Sequence, residues 1–343
     1  MKIIVCNSKV PFVHGGGELL IQWLITQLKC RGFDVEEIAI PLMWKSEQDL
    51  LKSNLVWRLL ELREALEIPA DIVIGTKFPS YLVKHPRKVI WLFHQFKQIY
   101  EGSGSDAGYK CDTVAQLDAT NKIMHLDNCA FSEAHKIYCL SEKIGKKVKK
   151  YNGFDSETLY PFPPDKKEYT CEEYGDYILH VGKLGQNKRI ELIIEALRKS
   201  AIKTKIIFAG DGARKNELEK RVAELGLSEN IIFSGWIERK KLLDLYARAS
   251  AIVYAALDED FSLIPTEAFL CKKPVIATSD AGGMLEIVKD GETGIITEPG
   301  ADGLARGFEM AAMNKNMLVE LGNNGYNLVN SWSWDTIIEK LTS

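Results

Sequence analysis

The sequence predicts an α/β protein with two Rossmann-like halves, and three observations support that prediction. Short apolar runs rich in β-branched residues alternate with longer stretches of helical periodicity, which is typical of βαβ units and parallel sheets. A proline-rich, charged stretch at residues 160–167 interrupts the pattern, which then starts again. The length of 343 residues also favours about two domains. We therefore predict a first domain at residues 1–163 and a second at residues 164–325.

In the first half, apolar runs predict strands and two stretches predict helices. The second helix has Ser141 as its predicted N-cap, because a serine side chain accepts a hydrogen bond from the first helical turn. A glycine- and serine-rich segment at residues 102–108 is expected to be a flexible loop. The predicted strands are residues 3–6, 35–40, 71–74, 88–93 and 137–140, and the predicted helices are residues 18–30 and 141–151.

The second half repeats the alternation of strands and helices. Ligands of open α/β sheets bind beyond the carboxyl ends of the strands, so a cleft between the two halves is the expected site. The predicted strands are residues 177–181, 205–208, 231–233, 251–254, 274–277 and 294–296. The predicted helices are residues 189–199, 214–225, 239–249, 265–270 and 304–312.

Composition argues against several classes of protein. Net charge is −3, which gives no basic field of the kind that a nucleic-acid-binding protein shows. The seven cysteines are odd in number, scattered and without a C-x-x-C pair, so neither a zinc site nor a disulfide framework is expected. The chain enters a strand at once and has no apolar run long enough for a bilayer span. We therefore expect a cytoplasmic protein in a reducing setting.

Two carboxylates, Glu259 and Glu267, lie eight residues apart around a predicted helix start. Glu259 follows the predicted strand at 251–254, and Glu267 lies in the first turn of the helix at 265–270. A helix start offers unpaired N–H groups for an anion, whereas acidic side chains accept hydrogen bonds from sugar and ribose hydroxyls. The combination indicates a ligand with both diphosphate and polyol, which is a nucleotide sugar.

Loops that follow predicted strands carry glycine and lysine. Lys183 and Lys188 lie in the loop at 182–188, where two cations would hold a diphosphate, although lysines in loops are usually solvated. Gly210 lies in a turn that either brings backbone near phosphate or base or only makes the turn. A glycine run at 15–17 precedes the first helix, and the alternatives there are phosphate binding and a tight turn.

Two further features have both a functional and an ordinary interpretation. His94 ends a predicted strand and is either a sugar ligand or a packed, hydrogen-bonded histidine. One helix face is strongly basic, which is typical of a solvated surface or of a weak peripheral contact with anionic lipid at the inner face of a membrane. The lysines of that face are Lys143, Lys146, Lys147, Lys149 and Lys150.

These segments, in this order, resemble retaining glycosyltransferases of family 4, which have the GT-B fold. The specific motifs lie in the second half: G-K-L-x-x-x-K at 182–188, the glycine turn at 210–212, G-W at 235–236, and the span from Glu259 to Glu267. The resemblance continues through residues 273–277, 282–286 and 290–294, and it is looser in the first half. Lys183 stands where the family usually has arginine, and Ser262 where it usually has glycine.

The resemblance implies a role for each matching residue. Lys188 and Lys183 would hold the donor diphosphate, Glu259 the donor sugar and Glu267 the ribose. No metal or other cofactor is expected, since the lysines would replace a cation, and a C-terminal segment at 326–343 would pack back on the first domain. The other implied contacts are Phe261, Ser262 and Leu263 with sugar and phosphate, Ile237 with the base, Gly16 and Gly17 with phosphate, and His94 with the sugar.

The resemblance therefore implies a retaining hexosyltransferase with two Rossmann-like domains that face each other across a cleft. Its donor would be a nucleoside-diphosphate sugar, with uridine favoured over guanosine, and its acceptor a glycan, lipid-linked or small-molecule hydroxyl. Two alternatives remain open, namely a sugar-nucleotide epimerase of the same fold and a protein that binds a nucleotide sugar without turnover. A nicotinamide dehydrogenase is disfavoured because no G-x-G-x-x-G follows either opening strand.

Overall fold

The computed structural model describes residues 1–12, 15–62, 69–101 and 113–343, so the predicted loop at 102–108 lies outside the described residues. The chain divides into two compact units. Unit 1 comprises Met1–Pro161 together with Trp334–Ser343, and unit 2 comprises Phe162–Ser333. Within the described residues each unit contains one six-stranded sheet, in which every strand pair is parallel. The predicted class of two Rossmann-like α/β domains is confirmed.

The sheet of unit 1 has the order β2-β1-β3-β4-β5-β6, so the direction of strand addition reverses between β1 and β3. The predicted N-cap of α5 is confirmed, because the Ser141 hydroxyl accepts a hydrogen bond from the Ile144 amide at 3.2 Å. The strands are β1 Lys2–Lys9, β2 Asp34–Pro41, β3 Ile72–Gly75, β4 Lys88–Leu92, β5 Lys136–Cys139 and β6 Glu157–Thr158. The helices are α1 Gly16–Cys30, α2 Glu47–Leu59, α3 Lys97–Tyr100, α4 Val114–Ser132 and α5 Glu142–Asn152.

The sheet of unit 2 has the order β12-β11-β10-β7-β8-β9, which is the doubly wound order with a reversal between β7 and β10. Apolar side chains of these strands pack against the flanking helices and form the core of the unit. The strands are β7 Tyr177–Val181, β8 Lys205–Ala209, β9 Ile231–Gly235, β10 Ala251–Tyr254, β11 Val275–Thr278 and β12 Gly294–Thr297. The helices are α6 Ile190–Lys199, α7 Lys215–Glu224, α8 Arg239–Arg248, α9 Ile264–Leu270, α10 Ala301–Met313 and α11 Lys315–Asn330.

The proline-rich stretch predicted as a linker is packed rather than free. Phe162 is buried, and the ammonium of Lys166 donates hydrogen bonds to the carbonyls of Val329, Asn330 and Trp332 at 2.7–3.1 Å. The first two of these carbonyls belong to the last turn of α11, where a cation is favourable. Helix α11 continues to Asn330, so the second unit ends at Ser333 rather than at the predicted residue 325.

The final helix, α12 Trp334–Thr342, belongs to unit 1. Trp334, Ile337, Ile338 and Leu341 are buried, which is the spacing of one helix face. The indole of Trp334 meets the indole of Trp91 edge to face, with ring centroids 6.0 Å apart. The C-terminal helix therefore completes the core of the first domain, as the fold class predicted.

Candidate functional site

The candidate site of unit 2 lies at the carboxyl ends of β7 and β10. These neighbouring strands flank the point where the strand order reverses, which is where open α/β sheets bind ligands. The loop after β7 contains Lys188 in a short 3-10 turn, Gln186–Lys188, and the loop after β10 contains Glu259. Residues far apart in sequence thus lie close together, because the loops that follow parallel strands are all at the same edge of the sheet.

Lys188 and Glu259 form the centre of this site. The Lys188 ammonium lies 2.5 Å from Oε1 of Glu259 and donates to the Tyr254 hydroxyl at 3.2 Å. Asn187 donates to the same Oε1 at 3.3 Å, and the Tyr254 hydroxyl donates to Oε2. Both charged side chains keep 17% of their surface exposed. The carboxylate is therefore oriented by several donors, and it is still reachable from solvent.

Arg189, the residue after Lys188, joins the loops of three strands. Its backbone has a φ of 50°, and its guanidinium donates two hydrogen bonds to Asp280 at 2.7 and 2.8 Å. It also donates to the Thr278 hydroxyl at 2.8 Å and to the Ala255 carbonyl at 2.5 Å. The hydrogen bond from Arg189 holds the pKa of Asp280 below its usual value. The loops after β7, β10 and β11 are thereby fixed to one another.

Backbone hydrogen bonds hold the loop of Glu259. The Glu259 amide donates to the Ala281 carbonyl at 3.1 Å, and the Gly283 amide donates to the Glu259 carbonyl at 2.7 Å. Gly282 has a φ of 96°, and a Cβ there would clash with the Glu259 carbonyl oxygen. The motif at 282–286 therefore supports the acidic loop through close backbone contact.

Gly210 allows the loop after β8 to pack closely against the loop after β7. Its φ is 148°, and a Cβ at this position would clash with the Gly182 carbonyl. The Gly182 amide in turn donates to the Ala209 carbonyl at 3.0 Å. Glycine is needed here for two loops to touch, and a contact between Gly210 and a ligand stays a prediction.

Glu267, on α9, lies in a buried polar network. Its Oε1 accepts hydrogen bonds from the Tyr169 hydroxyl at 3.0 Å and from Arg239 at 2.7 Å, and its Oε2 accepts one from the Tyr246 hydroxyl at 3.0 Å. The residue is 6% exposed. Burial, followed by the charge of Glu267, raises the pKa values of Tyr169 and Tyr246, so both hydroxyls stay protonated donors.

The remaining predicted residues of unit 2 lie on the loops after β7, β9 and β10. Lys183 is exposed, and Ile237 is half-buried beside the exposed Trp236. Phe261, Ser262 and Leu263 are half-buried in the segment that leads into α9. Their contacts with a donor stay predictions.

Unit 1 contains the other three predicted residues. Gly16 and Gly17 begin α1, and His94 is half-buried after β4, with its Nδ1 3.2 Å from the Gln95 carbonyl. A Cβ on Gly17 would lie 3.6 Å from Cδ of Lys77, a buried lysine whose ammonium is 2.6 Å from Glu18. Loops from β1 and β3, the strands at the reversal, thus meet at these glycines.

Sequence reasoning missed several residues of these sites. Lys77 follows Gly75 and Thr76 at the end of β3, which is the same pattern of strand, glycine and lysine as Gly182-Lys183, so a signal was present. Tyr169, Arg239 and Tyr246 had no such signal because they reach Glu267 from separate elements.

The basic helix face is largely paired. Lys147 forms an ion pair with Glu101, and the ammonium of Lys150 lies 4.8 Å from the ring centroid of Tyr151. These contacts offset part of its charge, and the membrane contact stays a prediction. The other ion pairs join Lys146 to Glu142 at 3.2 Å and Lys149 to Asp155 at 2.9 Å.

The described residues lack the side-chain clusters of a metal site and the long apolar helices of a membrane span. They contain no group of three or more His, Cys, Asp or Glu side chains arranged to hold a metal ion. No helix in these parts of the chain has both the length and the apolar character to cross a membrane. Each cysteine in the same ranges is a free thiol.

Unit 2 is similar in sequence to known glycosyltransferases. Residues 162–328 match the family model described as glycosyl transferases group 1. Over 167 residues the chain is 30% identical to an uncharacterized glycosyltransferase of Methanocaldococcus jannaschii, and the match covers 48% of this chain and 43% of that relative. The chain spans about half or less of the length of the curated relatives that it matches.

Solved structures match along nearly the whole chain. Sucrose-phosphate synthase from Thermosynechococcus elongatus is 17% identical with a TM-score of 0.78, over 98% of this chain and 97% of that one. The Anabaena protein HepE in complex with UDP-glucose is 16% identical with a TM-score of 0.72, over 98% of each chain. At these identities the likeness shows the fold, which is GT-B.

Proposed function

We propose that the protein is a glycosyltransferase that moves a hexose-type sugar from a nucleoside-diphosphate sugar to an acceptor hydroxyl. The observation that carries the proposal is the contact between Lys188 and Glu259 at the reversal point of the unit 2 sheet. A cation suited to a diphosphate thus lies beside a carboxylate suited to sugar hydroxyls, and this supports the proposal. The match of residues 162–328 to glycosyl transferases group 1 supports it, because that segment contains both residues.

In the proposed donor site, two lysines of unit 2 bind the diphosphate of the nucleotide sugar. Lys188 has three N–H donors, of which two point to Glu259 and Tyr254, so one can serve a phosphate oxygen. Lys183 would supply a second cation from the same exposed loop. These lysines would offset the charge on the departing nucleotide, and on that basis we propose that transfer needs no metal.

The proposed reaction retains the anomeric configuration. The acceptor hydroxyl oxygen forms a bond to the anomeric carbon on the face from which the diphosphate leaves, and the bond from that carbon to the phosphate oxygen breaks. The proton of the acceptor passes to the departing phosphate oxygen, so charge and atoms balance. Glu259 is assigned a positioning role at the sugar, because hydrogen bonds from Asn187 and Tyr254 already fix its orientation.

The assignment predicts loss of transfer in Lys188→Ala and Glu259→Ala. Each change removes one member of the central pair, and we expect the turnover to fall at least about 100-fold, as for other preorganised charge contacts. Sugar transfer is measured by release of the nucleotide. The matched controls are Lys205→Ala and Asp176→Ala, whose ion pair at 2.7 Å lies at the opposite, amino end of the same sheet. Near-normal transfer by either central variant would contradict the assignment.

Anomeric configuration tests the mechanism separately. The glycoside product of an α-configured donor is examined by NMR, and retention predicts an α linkage. A β-linked product would exclude the proposed same-face attack while leaving the enzyme class unaffected.

Nucleotide identity is tested by thermal shift with a panel of nucleoside diphosphates. We favour uridine, which the UDP-glucose complex of the similar HepE structure supports. A nucleotide at about 100 times its dissociation constant should stabilise the protein by about 2.7 kcal/mol. A larger shift with GDP than with UDP would replace uridine by guanosine.

Incubation of the donor without acceptor separates transfer from the alternatives. A transferase is expected to release nucleotide slowly by hydrolysis. Recovery of an epimerised nucleotide sugar would instead indicate an epimerase. If the donor stays unchanged, and also stays unchanged when hydroxyl acceptors are added, the protein would instead be a binding protein. The acceptor is proposed to be a glycan, a lipid-linked or a small-molecule hydroxyl, bound by unit 1.

A further inference from the structure

Arg189 has a strained backbone next to the centre of the candidate site. Its φ is 50° and its ψ is 46°, which is the left-handed region. A side chain with a Cβ is disfavoured there, whereas glycine would adopt the same conformation without a steric clash. Strain of this kind persists only where the surrounding structure holds the residue in place, and it is concentrated at functional sites. The contacts of the Arg189 side chain must therefore offset the strain of its backbone.

The guanidinium of Arg189 directs four of its five N–H groups to acceptors of the protein. The acceptors are the Ala255 carbonyl at 2.5 Å, the Thr278 hydroxyl at 2.8 Å and both carboxylate oxygens of Asp280 at 2.7 and 2.8 Å. The two bonds to Asp280 form the bidentate geometry that gives an arginine–carboxylate pair a fixed orientation. The guanidinium therefore acts on the loops around it.

These loops contain the two central residues of the site. Arg189 directly follows Lys188, and Ala255 is the first residue after β10, in the loop that contains Glu259. One side chain thus connects the backbone next to Lys188 with the backbone that leads to Glu259. The bonds to Thr278 and Asp280 fix the same guanidinium to the loop after β11.

Two backbone hydrogen bonds also connect the three loops. The Leu257 amide donates to the Asn187 carbonyl at 3.1 Å, and the Asp258 amide donates to the Asp280 carbonyl at 2.9 Å. These bonds do not depend on the Arg189 side chain. Loss of that side chain should therefore displace the loops by a small distance while the fold is kept.

We propose that Arg189 is a positioning residue for sugar transfer, which holds Lys188 and Glu259 at their contact distance without itself binding the donor. This inference rests on the proposed function, in which Lys188 and Glu259 act on the donor. It adds that the pair is assembled before the nucleotide sugar binds. Loss of Arg189 should accordingly lower the rate of transfer more than the affinity for the nucleotide.

The test compares the wild type with Arg189→Gly, a change that removes the guanidinium and also relieves the backbone strain. Release of UDP from UDP-glucose measures turnover, and isothermal titration calorimetry measures the affinity for UDP. Turnover should fall about 10- to 100-fold, since a displacement of about 1 Å at the reacting groups has an effect of that size. The affinity for UDP should stay within about threefold of the wild type, because UDP has no sugar for Glu259 to orient.

The matched control is Lys272→Gly, the same kind of change at another residue of unit 2 with a positive φ. Lys272 has a φ of 53°, and its ammonium lies 5.0 Å from the ring centroid of Tyr326. It precedes β11 and so lies at the amino end of the sheet, opposite the candidate site. Turnover and UDP affinity of this control should be those of the wild type.

A double-mutant cycle tests whether Asp280 acts through Arg189. Asp280→Ala should also lower turnover, because it removes two of the four hydrogen bonds of the guanidinium. The double variant, Arg189→Gly with Asp280→Ala, should fall no further than Arg189→Gly alone, since the two residues act as a unit. Losses that multiply in the double variant would overturn the inference.

Arg189→Lys protects the test against misfolding of the glycine variant. Lysine keeps the positive charge but cannot bind Asp280 in the bidentate geometry. Turnover should therefore fall, while the affinity for UDP is kept. Melting temperatures, followed by circular dichroism, show which variants are folded.

Three further results would overturn the inference while transfer by the wild type still supports the proposed function. One is wild-type turnover in folded Arg189→Gly or, if that variant does not fold, in Arg189→Lys. Another is an equal loss of turnover and UDP affinity, and the third is failure of both variants to fold, since each would show an ordinary structural role. Failure of the wild type to release UDP would instead contradict the proposed function, and this inference with it.

Discussion

At the scale of single residues, charge at the carboxyl end of the unit 2 sheet is compensated within the protein. Lys188 pairs with Glu259, Arg189 with Asp280 and Arg239 with Glu267, at 2.5–2.7 Å. Removing one member of a partly buried pair leaves its partner without counter-charge, which destabilises the folded state. Variants of this site should therefore be compared with the wild type for melting temperature as well as for transfer.

A residue in unit 1 shows the opposite situation, a buried acid for which the described part of the chain supplies no cation. Asp127 on α4 is fully buried, and the Tyr100 hydroxyl donates to its Oδ2 at 2.6 Å. Burial raises the pKa of Asp127 to about 7, although the hydrogen bond from Tyr100 partly opposes the change. The folded state thus holds this proton more tightly than the unfolded chain, whose aspartate titrates near its usual pKa of 3.8.

This difference predicts that Asp127 lowers stability as pH rises. Its contribution is full below about pH 4 and is lost as pH rises through about 7, by on the order of 4 kcal/mol. Asp127→Asn removes the titration, so the stability of the variant relative to the wild type should increase between about pH 4 and about pH 8. Urea unfolding of both proteins at several pH values measures the difference in their free energies of unfolding. The other carboxylates titrate alike in both proteins, so their contributions cancel in this difference. A constant difference across this range would contradict the prediction.

At the scale of elements, glycines determine how closely the loops of unit 2 approach one another. Gly210 allows contact with the Gly182 loop, and Gly282 allows contact with the Glu259 loop. Gly322 and Gly325 do the same for α11, since a Cβ on either would clash with the Lys272 carbonyl or the Phe269 ring. These glycines weaken the local signal of a helix, and this explains why α11 was not predicted.

The glycine contacts predict a large effect of Gly282→Ala. A Cβ there meets the Glu259 carbonyl, so the variant should lose more than about 3 kcal/mol of stability and most of its transfer activity. The matched control is Gly291→Ala, which has a φ of 68° but no atom within 4 Å of the added Cβ. The control should lose only about 1 kcal/mol, from its positive φ alone. Equal losses in the two variants, measured by urea unfolding and nucleotide release, would contradict the role of the contact.

At the scale of the whole molecule, the chain leaves unit 1 at Pro161 and returns to it at Trp334. The core of unit 1 is therefore complete only when the final helix is in place. Trp334→Ala should reduce stability by about 3–5 kcal/mol and lower the melting temperature of unit 1 by roughly 10 °C. Thermal unfolding followed by circular dichroism measures the change.

The matched comparison for that helix is Asp335→Asn. Asp335 forms an ion pair with Arg31, but its side chain is 83% exposed. An exposed ion pair contributes less than about 1 kcal/mol, so the melting temperature of Asp335→Asn should be close to that of the wild type. An unchanged melting temperature in Trp334→Ala would show that the helix does not complete the core.

Predictions from the sequence were reliable where the signal is local. All the predicted strands are present, because short β-branched runs between turns need no distant partner to be recognised. Helices α2 and α4 were missed because their apolar residues follow no clear helical period. The boundary at 325 was placed too early because α11 was not recognised.

By itself the sequence determined the two-domain α/β class, the strand order along the chain and the loops that contain Lys188, Glu259 and Glu267. Each of these follows from residues close together in sequence. Only the tertiary structure decided that Lys188 contacts Glu259, and that Tyr169, Arg239 and Tyr246 occupy three of the acceptor positions of Glu267. The reason is that parallel strands bring distant loops to one sheet edge, where burial and charge select partners that local sequence does not record.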